Sequence, residues 1–239
     1  MKSDNKNYQV ASKFARIIFV VAGGIVFLFA LLAYITNVPT DIRAGGQAVF
    51  KNELNLVPLQ HPKSFADEIL AIKTIQQRVF SKAPFGAGIP DYQTREPADL
   101  MRYGQGLCFD RSRTLDKAFE FIGLPSRHVY LLYRQDRGFW SAMFHYGQPS
   151  HAVTEVKTSK GWMFVDSNTE WIALTRDGQV MNADDVWKRA GEFDGMPDYL
   201  KESWWAIRGM YSRKGQLYPP YILFPDFNWP DFFSWLIGD

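Results

Sequence analysis

The strongest constraint on this sequence is an apolar run near its beginning that carries no charge. From Ile17 to Ile35 the chain reads IIFVVAGGIVFLFALLAYI, nineteen residues in all. As an α-helix, such a segment spans about 28 Å, close to the hydrocarbon thickness of a bilayer, and satisfies its own backbone hydrogen bonds there. The sequence therefore predicts a transmembrane helix over residues 17–35, and a globular fold must be built from the residues after it.

A cleaved signal peptide is the alternative interpretation of this run. The apolar region of a signal peptide is usually about 7–15 residues long and ends in small residues, whereas this run is longer and leads into YITNVPTD. Four basic residues precede the run, and Asp41 and Arg43 balance each other after it. The positive-inside bias then predicts that residues 1–16 are cytoplasmic and the body is outside. In a bacterium this describes a single-pass protein of the inner membrane with a periplasmic domain.

The overall composition narrows the classes of partner. The formal net charge is +2, and the basic excess lies in the first sixteen residues, so a nucleic-acid partner is not expected. The hydrophobic share of 46% is enough to build a folded core. The single cysteine excludes an internal disulfide framework.

Three regions follow the predicted membrane helix. Residues 36–62 are interrupted by three prolines and are typical of a juxtamembrane linker. Residues 63–180 carry helix-like and strand-like patterns and are predicted to form the main folded core. Residues 181–239 are predicted to add helices and an aromatic tail. This tail, WPDFFSWLIGD, either packs against the domain or lies at the membrane interface.

The pattern of the core predicts an α+β fold. One helix is expected from Ser64, with Asp67 three residues on as an approximate capping box, and a second from Cys108 to just before Gly123. The stretch RHVYLLYR is typical of a strand, and HAVTEVKTSKGWMFVD of two strands around a turn near 159–161. A further helix is predicted in DYLKESWWAIRGMY. The strands are thus joined by a hairpin and not by crossover helices, which favours α+β over βαβ repeats.

The only cysteine stands in a distinctive position. Cys108 follows Gly104 and Gly106 at the predicted start of a helix. The exposed N–H groups and the dipole of a helix start stabilise a thiolate, and the same N–H groups can stabilise an oxyanion. A small buried hydrophobic residue is the alternative role for a lone cysteine.

A cysteine nucleophile needs a base, and that base needs an orienting group. The histidines of the chain are His61, His128, His145 and His151. His61 lies in the predicted linker, and neither His128 nor His145 has a carboxylate at a useful offset. His151 begins one arm of the predicted hairpin and Asp166 ends the other. With a turn of two or four residues the two side chains share a face, whereas an odd turn separates them. A satisfied structural histidine is the alternative role for His151.

Three blocks of sequence together carry a family resemblance: GQGLCFDRSRTLDKAFEFIGLPSRHV, SHAVTEV and GWMFVDSN. In this order they resemble the transglutaminase-like cysteine superfamily, with its papain-like Cys-His-Asp triad. The resemblance implies that residues 63–180 are a transglutaminase-like catalytic core in which a helix-borne cysteine packs on an antiparallel sheet. It implies Cys108 as nucleophile, His151 as base and Asp166 as orienting group, with a structural role for Arg127. Val153 stands where the family often has an aromatic residue, and Asn168 stands where it often has a proline.

Such a triad attacks an acyl carbon, most often of an amide, through a thioester. The resemblance favours a peptidase or amidase acting on a protein or peptide. The alternatives are a transamidase, or a non-catalytic binding or scaffold module of a cell-envelope or polysaccharide machine. Gln105 is either an oxyanion donor or a polar turn residue. No cofactor or metal is expected, and Asp184 and Asp185 are too thin a cluster to predict calcium.

Overall fold

The computed structural model describes residues 2–211 and 225–238, and the chain divides into two compact units between Asn37 and Val38. The first unit is one helix, α1 (Lys2–Thr36). Its segment Arg16–Thr36, of 21 residues, is long and apolar enough to cross a membrane, a property that signal sequences share. Of the predicted C-terminal region 181–239, residues 212–224 and 239 lie outside the described residues.

The second unit is a mixed domain around a curled antiparallel sheet, which confirms the predicted α+β class. The sheet strands are β1 (Ser126–Tyr133), β2 (Ser150–Thr158), β3 (Gly161–Val165) and β4 (Trp204–Arg208), in the order β3-β2-β1-β4. A separate short pair joins β5 (Met210–Tyr211) to β6 (Asp226–Phe227).

Helices surround this sheet. They are α2 (Ala44–Ala48), α3 (Phe65–Lys82), α4 (Pro97–Tyr103), α5 (Cys108–Phe121), α6 (Phe139–Phe144) and α7 (Trp229–Ile237). A π-helical turn covers Val49–Glu53, and 3-10 turns cover Val57–Leu59, Val186–Glu192 and Asp198–Leu200. The predicted start of α3 is confirmed, because the Ser64 hydroxyl accepts a hydrogen bond from the Asp67 N–H at 3.2 Å.

The hairpin register decides where the site residues can meet. Thr158 pairs with Gly161, so β2 and β3 are joined by the two-residue turn Ser159–Lys160. The even turn length places His151 and Asp166 at positions of the same parity. Glu68 of α3 holds this turn in place. Its two carboxylate oxygens accept hydrogen bonds from the Ser159 N–H, at 3.1 and 2.9 Å.

The core fills both faces of the sheet. The strand β1 alternates, with Val129 and Leu131 in one buried cluster and Tyr130 and Leu132 in another. A third cluster lies between α3 and α5. Helix α5 meets β2 at a buried polar contact, where the Thr154 hydroxyl donates to the backbone carbonyl of Ser112 at 3.1 Å.

Two sequence predictions differ from this structure. The region 36–62 is not an open linker in its middle part, because Val49, Phe50, Leu54 and Leu56 are buried in the core. Their apolar side chains outweigh the prolines that indicated a linker. The helix predicted over DYLKESWWAIRGMY is wrong, because Trp204–Arg208 form β4 and pair with β1. The sheet thus takes an edge strand from beyond residue 180.

Candidate active site

The start of α5 is held in place by a buried carboxylate. Asp110, in the first turn, accepts hydrogen bonds from the N–H groups of Leu107 at 2.9 Å and Ile89 at 3.1 Å, and pairs with Arg95. The preceding Gly106 is required by close packing, because a Cβ there would lie 2.6 Å from Cδ1 of Leu100. Cys108 is the first residue of the helix and is half-buried. A fixed helix start of this kind favours a thiolate.

The structure brings His151 between Cys108 and Asp166. Nε2 of His151 lies 2.7 Å from Oδ1 of Asp166, and both side chains are buried. Interaction with Cys108 also contributes to the raised pKa of His151. Since Nε2 faces the carboxylate, Nδ1 is the ring nitrogen left for the thiol. The arrangement can take a proton from the thiol and hold the resulting imidazolium.

Asp166 accepts several hydrogen bonds at once. Its Oδ2 accepts from the Thr169 N–H at 2.8 Å, the Thr169 hydroxyl at 2.7 Å and the Tyr199 hydroxyl at 2.5 Å. Together with His151 these groups surround both oxygens of the carboxylate with donors. They outweigh the effect of burial and lower the pKa of Asp166, so that it stays ionised.

The two buried histidines titrate in opposite directions. Burial alone would lower the pKa of His151, but hydrogen bonds and charge interactions with Asp166 and Cys108 raise it from 6.5 to about 10. Burial lowers the pKa of His128 to about 3, and the positive charges of Arg113 and His151 act in the same direction. At neutral pH the ring of His151 is therefore cationic, whereas the ring of His128 is neutral.

The structure also gives the contacts of three other residues noted in the sequence, Arg127, Asn168 and Gln105. Arg127 donates to Glu155 at 2.6 Å and lies over the ring of Trp162, which fits the structural role implied for it. Asn168 accepts from Arg111 at 2.9 Å. Gln105 packs its side chain beside Gly86, where a Cβ would lie 2.4 Å from the amide oxygen, and its role in an oxyanion site stays a prediction.

His61, Asp184 and Asp185 also contact other residues of the domain. His61 is not remote from the domain, because its ring lies against Gly123, where a Cβ would meet Nδ1 at 2.8 Å. Asp184 accepts from Arg208 at 2.7 Å, and Asp185 pairs with Lys188 at 2.9 Å. Within the described ranges, His, Cys, Asp and Glu form no group of three that could hold a metal ion.

Sequence reasoning missed three residues around this site. Tyr199 bonds Asp166 and places its ring edge-on to His151, with centroids 5.5 Å apart. Gln76 is fully buried on α3, and its Nε2 donates to the backbone carbonyls of Asp166 at 2.8 Å and Trp171 at 3.1 Å. Arg111 is buried and interacts electrostatically with Asp166 and Cys108. Its position three residues after Cys108 on one helix was the only signal available in the sequence.

One family model matches the middle part of the chain. The model of the transglutaminase-like superfamily matches residues 62–167, a segment that contains Cys108, His151 and Asp166. The chain carries a transglutaminase-like domain. No curated protein matches the sequence.

Two solved structures are similar to the transglutaminase-like domain at a distance. A TGase is 18% identical, with a TM-score of 0.37 over 52% of this chain and 32% of that one. A proposed cysteine protease from Cytophaga hutchinsonii is 15% identical, with a TM-score of 0.31 over 61% of this chain and 48% of that one. The chain therefore spans about a third of the first protein and about half of the second, and neither likeness indicates a reaction.

Proposed function

We propose that this protein is a membrane-anchored thiol hydrolase that cleaves amide bonds of a peptide or protein outside the cytoplasm. The observation that carries the proposal is the relay from Cys108 through His151 to the buried, multiply hydrogen-bonded Asp166. A binding module has no need of a thiol, an imidazole and a carboxylate in this order. The segment Arg16–Thr36 is proposed as the anchor, with the four basic residues before it on the cytoplasmic side.

The proposed reaction has two halves, formation of a thioester on Cys108 and hydrolysis of that thioester. The thiolate of Cys108 attacks the carbonyl carbon, and the oxyanion is stabilised at the start of α5, where N–H groups have no intrahelical acceptor. The imidazolium of His151 gives its Nδ1 proton to the leaving amine as the C–N bond breaks, which leaves a thioester. Water then attacks the thioester and gives a proton to His151, and the C–S bond breaks to release the acid and restore the thiolate and the imidazolium.

The alkylation rate of Cys108 tests the pairing directly, because this is the only cysteine in the chain. The full-length protein in detergent is compared with His151→Ala and with the matched control His145→Ala, whose histidine is exposed. We expect fast alkylation at pH 7, a loss of about thirty-fold or more in His151→Ala, and no change in the control. If Cys108 is alkylated slowly and its rate does not change in His151→Ala, the enzyme proposal is contradicted and a binding module remains.

The acceptor is tested separately. A peptide pool is incubated with the protein in water enriched in oxygen-18, with and without a primary amine. A hydrolase incorporates the heavy oxygen into new carboxylates in both samples. If the product is the amide of the added amine instead, the protein is a transamidase on the same thioester chemistry.

A further inference from the structure

The C-terminal helix α7 has a surface that the described part of the domain does not cover. Of its nine residues, WPDFFSWLI, only Asp231 and Ser234 are polar. The helix is well formed, because the Asn228 side chain caps it by accepting from the Asp231 N–H at 3.0 Å. A helix that is apolar on all sides is normally covered on all sides.

One face of α7 packs on the domain and the other does not. Phe232 and Trp235 pack inward, against the cluster that contains Met210 and Ile207. Phe233, Leu236 and Ile237 are 43%, 61% and 74% exposed. These three residues are adjacent on the helix surface by their spacing.

The neighbouring helix α6 extends this exposed surface. Phe139 of α6 lies against Trp235 of α7, with ring centroids 6.2 Å apart. Beyond it, Trp140 and Phe144 stack on each other at 6.4 Å and are both exposed. We call the exposed residues of the two helices the apolar patch: Trp140, Phe144, Phe233, Leu236 and Ile237. Exposed apolar and aromatic side chains on two helices that contact each other mark an interaction surface.

The path of the chain between α1 and the domain indicates which partner the apolar patch contacts. The Val38 N–H donates to the Phe227 carbonyl at 2.8 Å, and the Asn228 side chain donates to the Val38 carbonyl at 3.0 Å. Val38 is separated by one residue from Thr36, the last residue of α1. The start of α7 is thus bonded to the chain almost where the membrane segment ends. If α1 spans a bilayer, α7 begins beside the bilayer surface.

We infer that the apolar patch inserts into the outer headgroup region of the membrane that holds α1. Trp and Phe side chains favour this interfacial region, and amphipathic helices lie in it with one face buried. The anchor keeps the patch at a high local concentration near the lipid, so a small patch is enough for docking. The inference rests on the membrane anchor of the proposed function and is independent of its chemistry.

Site-specific lipid quenching tests the inference in the full-length chain. Cys108→Ser removes the native thiol, and single cysteines are introduced by Ile237→Cys in the patch, Ile25→Cys in α1 and Lys73→Cys on the exposed side of α3. Each variant is labelled with the fluorophore NBD and reconstituted into phosphatidylcholine and phosphatidylglycerol vesicles that contain a doxyl-labelled lipid. We expect the emission from positions 25 and 237 to fall about twofold or more and that from position 73 to stay unchanged.

The other outcomes distinguish a failure of patch docking from a failure of the membrane anchor. Quenching at position 25 but not at 237 overturns docking while the anchor stands. Quenching at neither position overturns the anchor and the docking together. If the label at position 237 is shielded from aqueous iodide, escapes lipid quenching and becomes exposed on dilution with excess lipid, a second copy of the chain covers the patch, which also overturns the inference.

Discussion

Replacing Asp166 by asparagine should disable the site through the proton on His151. The hydrogen bonds around Asp166 show why an amide does not fit. The Thr169 backbone N–H donates to Oδ2 at 2.8 Å and cannot rotate away, so the single oxygen of an asparagine must face it. The amide nitrogen then donates to Nε2 of His151, which has to be unprotonated. The neutral ring carries its proton on Nδ1, facing Cys108, and cannot accept the proton of the thiol.

The size of this effect follows from the two protonation states. In the native protein the pKa of His151 is raised to about 10, so the ring stays cationic up to about pH 10, and an imidazolium beside a thiol favours the thiolate. Without the charge of Asp166, burial remains and draws the pKa of His151 below its ordinary value. A thiol with the free value of about 8.5 is about 3% ionised at pH 7, so the alkylation rate should fall about thirty-fold there. Near pH 10 the two rates should converge.

The assay is the pH profile of Cys108 alkylation in Asp166→Asn, with Tyr199→Phe as the matched control. Tyr199→Phe removes one hydrogen bond to the same carboxylate and leaves its charge, so its rate at pH 7 should change by less than about tenfold. Nitrogen-15 NMR of the His151 ring reports the tautomer independently. An Asp166→Asn profile that overlays the native one, with Nε2 still protonated, would refute the reasoning.

Two further predictions concern the buried side chains of Asp116 and Gln76. Burial raises the pKa of Asp116 to about 7, so the folded state keeps a proton that the unfolded chain loses above about pH 4. Relative to Asp116→Asn, the native free energy of unfolding should therefore fall by about 1.4 kcal/mol per pH unit from about pH 4 to 7 and level off above it. Chemical denaturation at several pH values measures this, and parallel curves would contradict it. Gln76→Leu keeps the volume but removes the donor to the Asp166 carbonyl, which should cost about 1–3 kcal/mol of unfolding free energy and slow alkylation; unchanged alkylation in the folded variant would show that Gln76 does not position Asp166.

The local parts of this fold were readable from the sequence. The start of α3 follows from Ser64 and Asp67, and the hairpin follows from the alternation of its two arms. The shared parity of His151 and Asp166 depended on the turn length, which the alternation left open between even and odd. Pairing of Thr158 with Gly161 gives the two-residue turn.

The parts that depend on distant contacts were not readable. The stretch WWAIR has apolar residues at every position from Trp204 to Ile207 and fits a helix or a strand, and its pairing with β1 decides the matter. Tyr199 and Gln76 reach Asp166 from segments far away in the chain, so no local spacing marks them. The same holds for Phe50, which is buried although its surroundings are rich in turn residues.

The reactive group is assembled from α5, β2, the segment after β3 and the 3-10 turn that holds Tyr199. In an extended chain these pieces lie far apart, and Cys108 then has neither the imidazole nor the helix start beside it. A chain that crosses a membrane through a translocation channel does so unfolded. The proposed hydrolase, translocated unfolded, would accordingly become reactive only when it folds outside the cytoplasm.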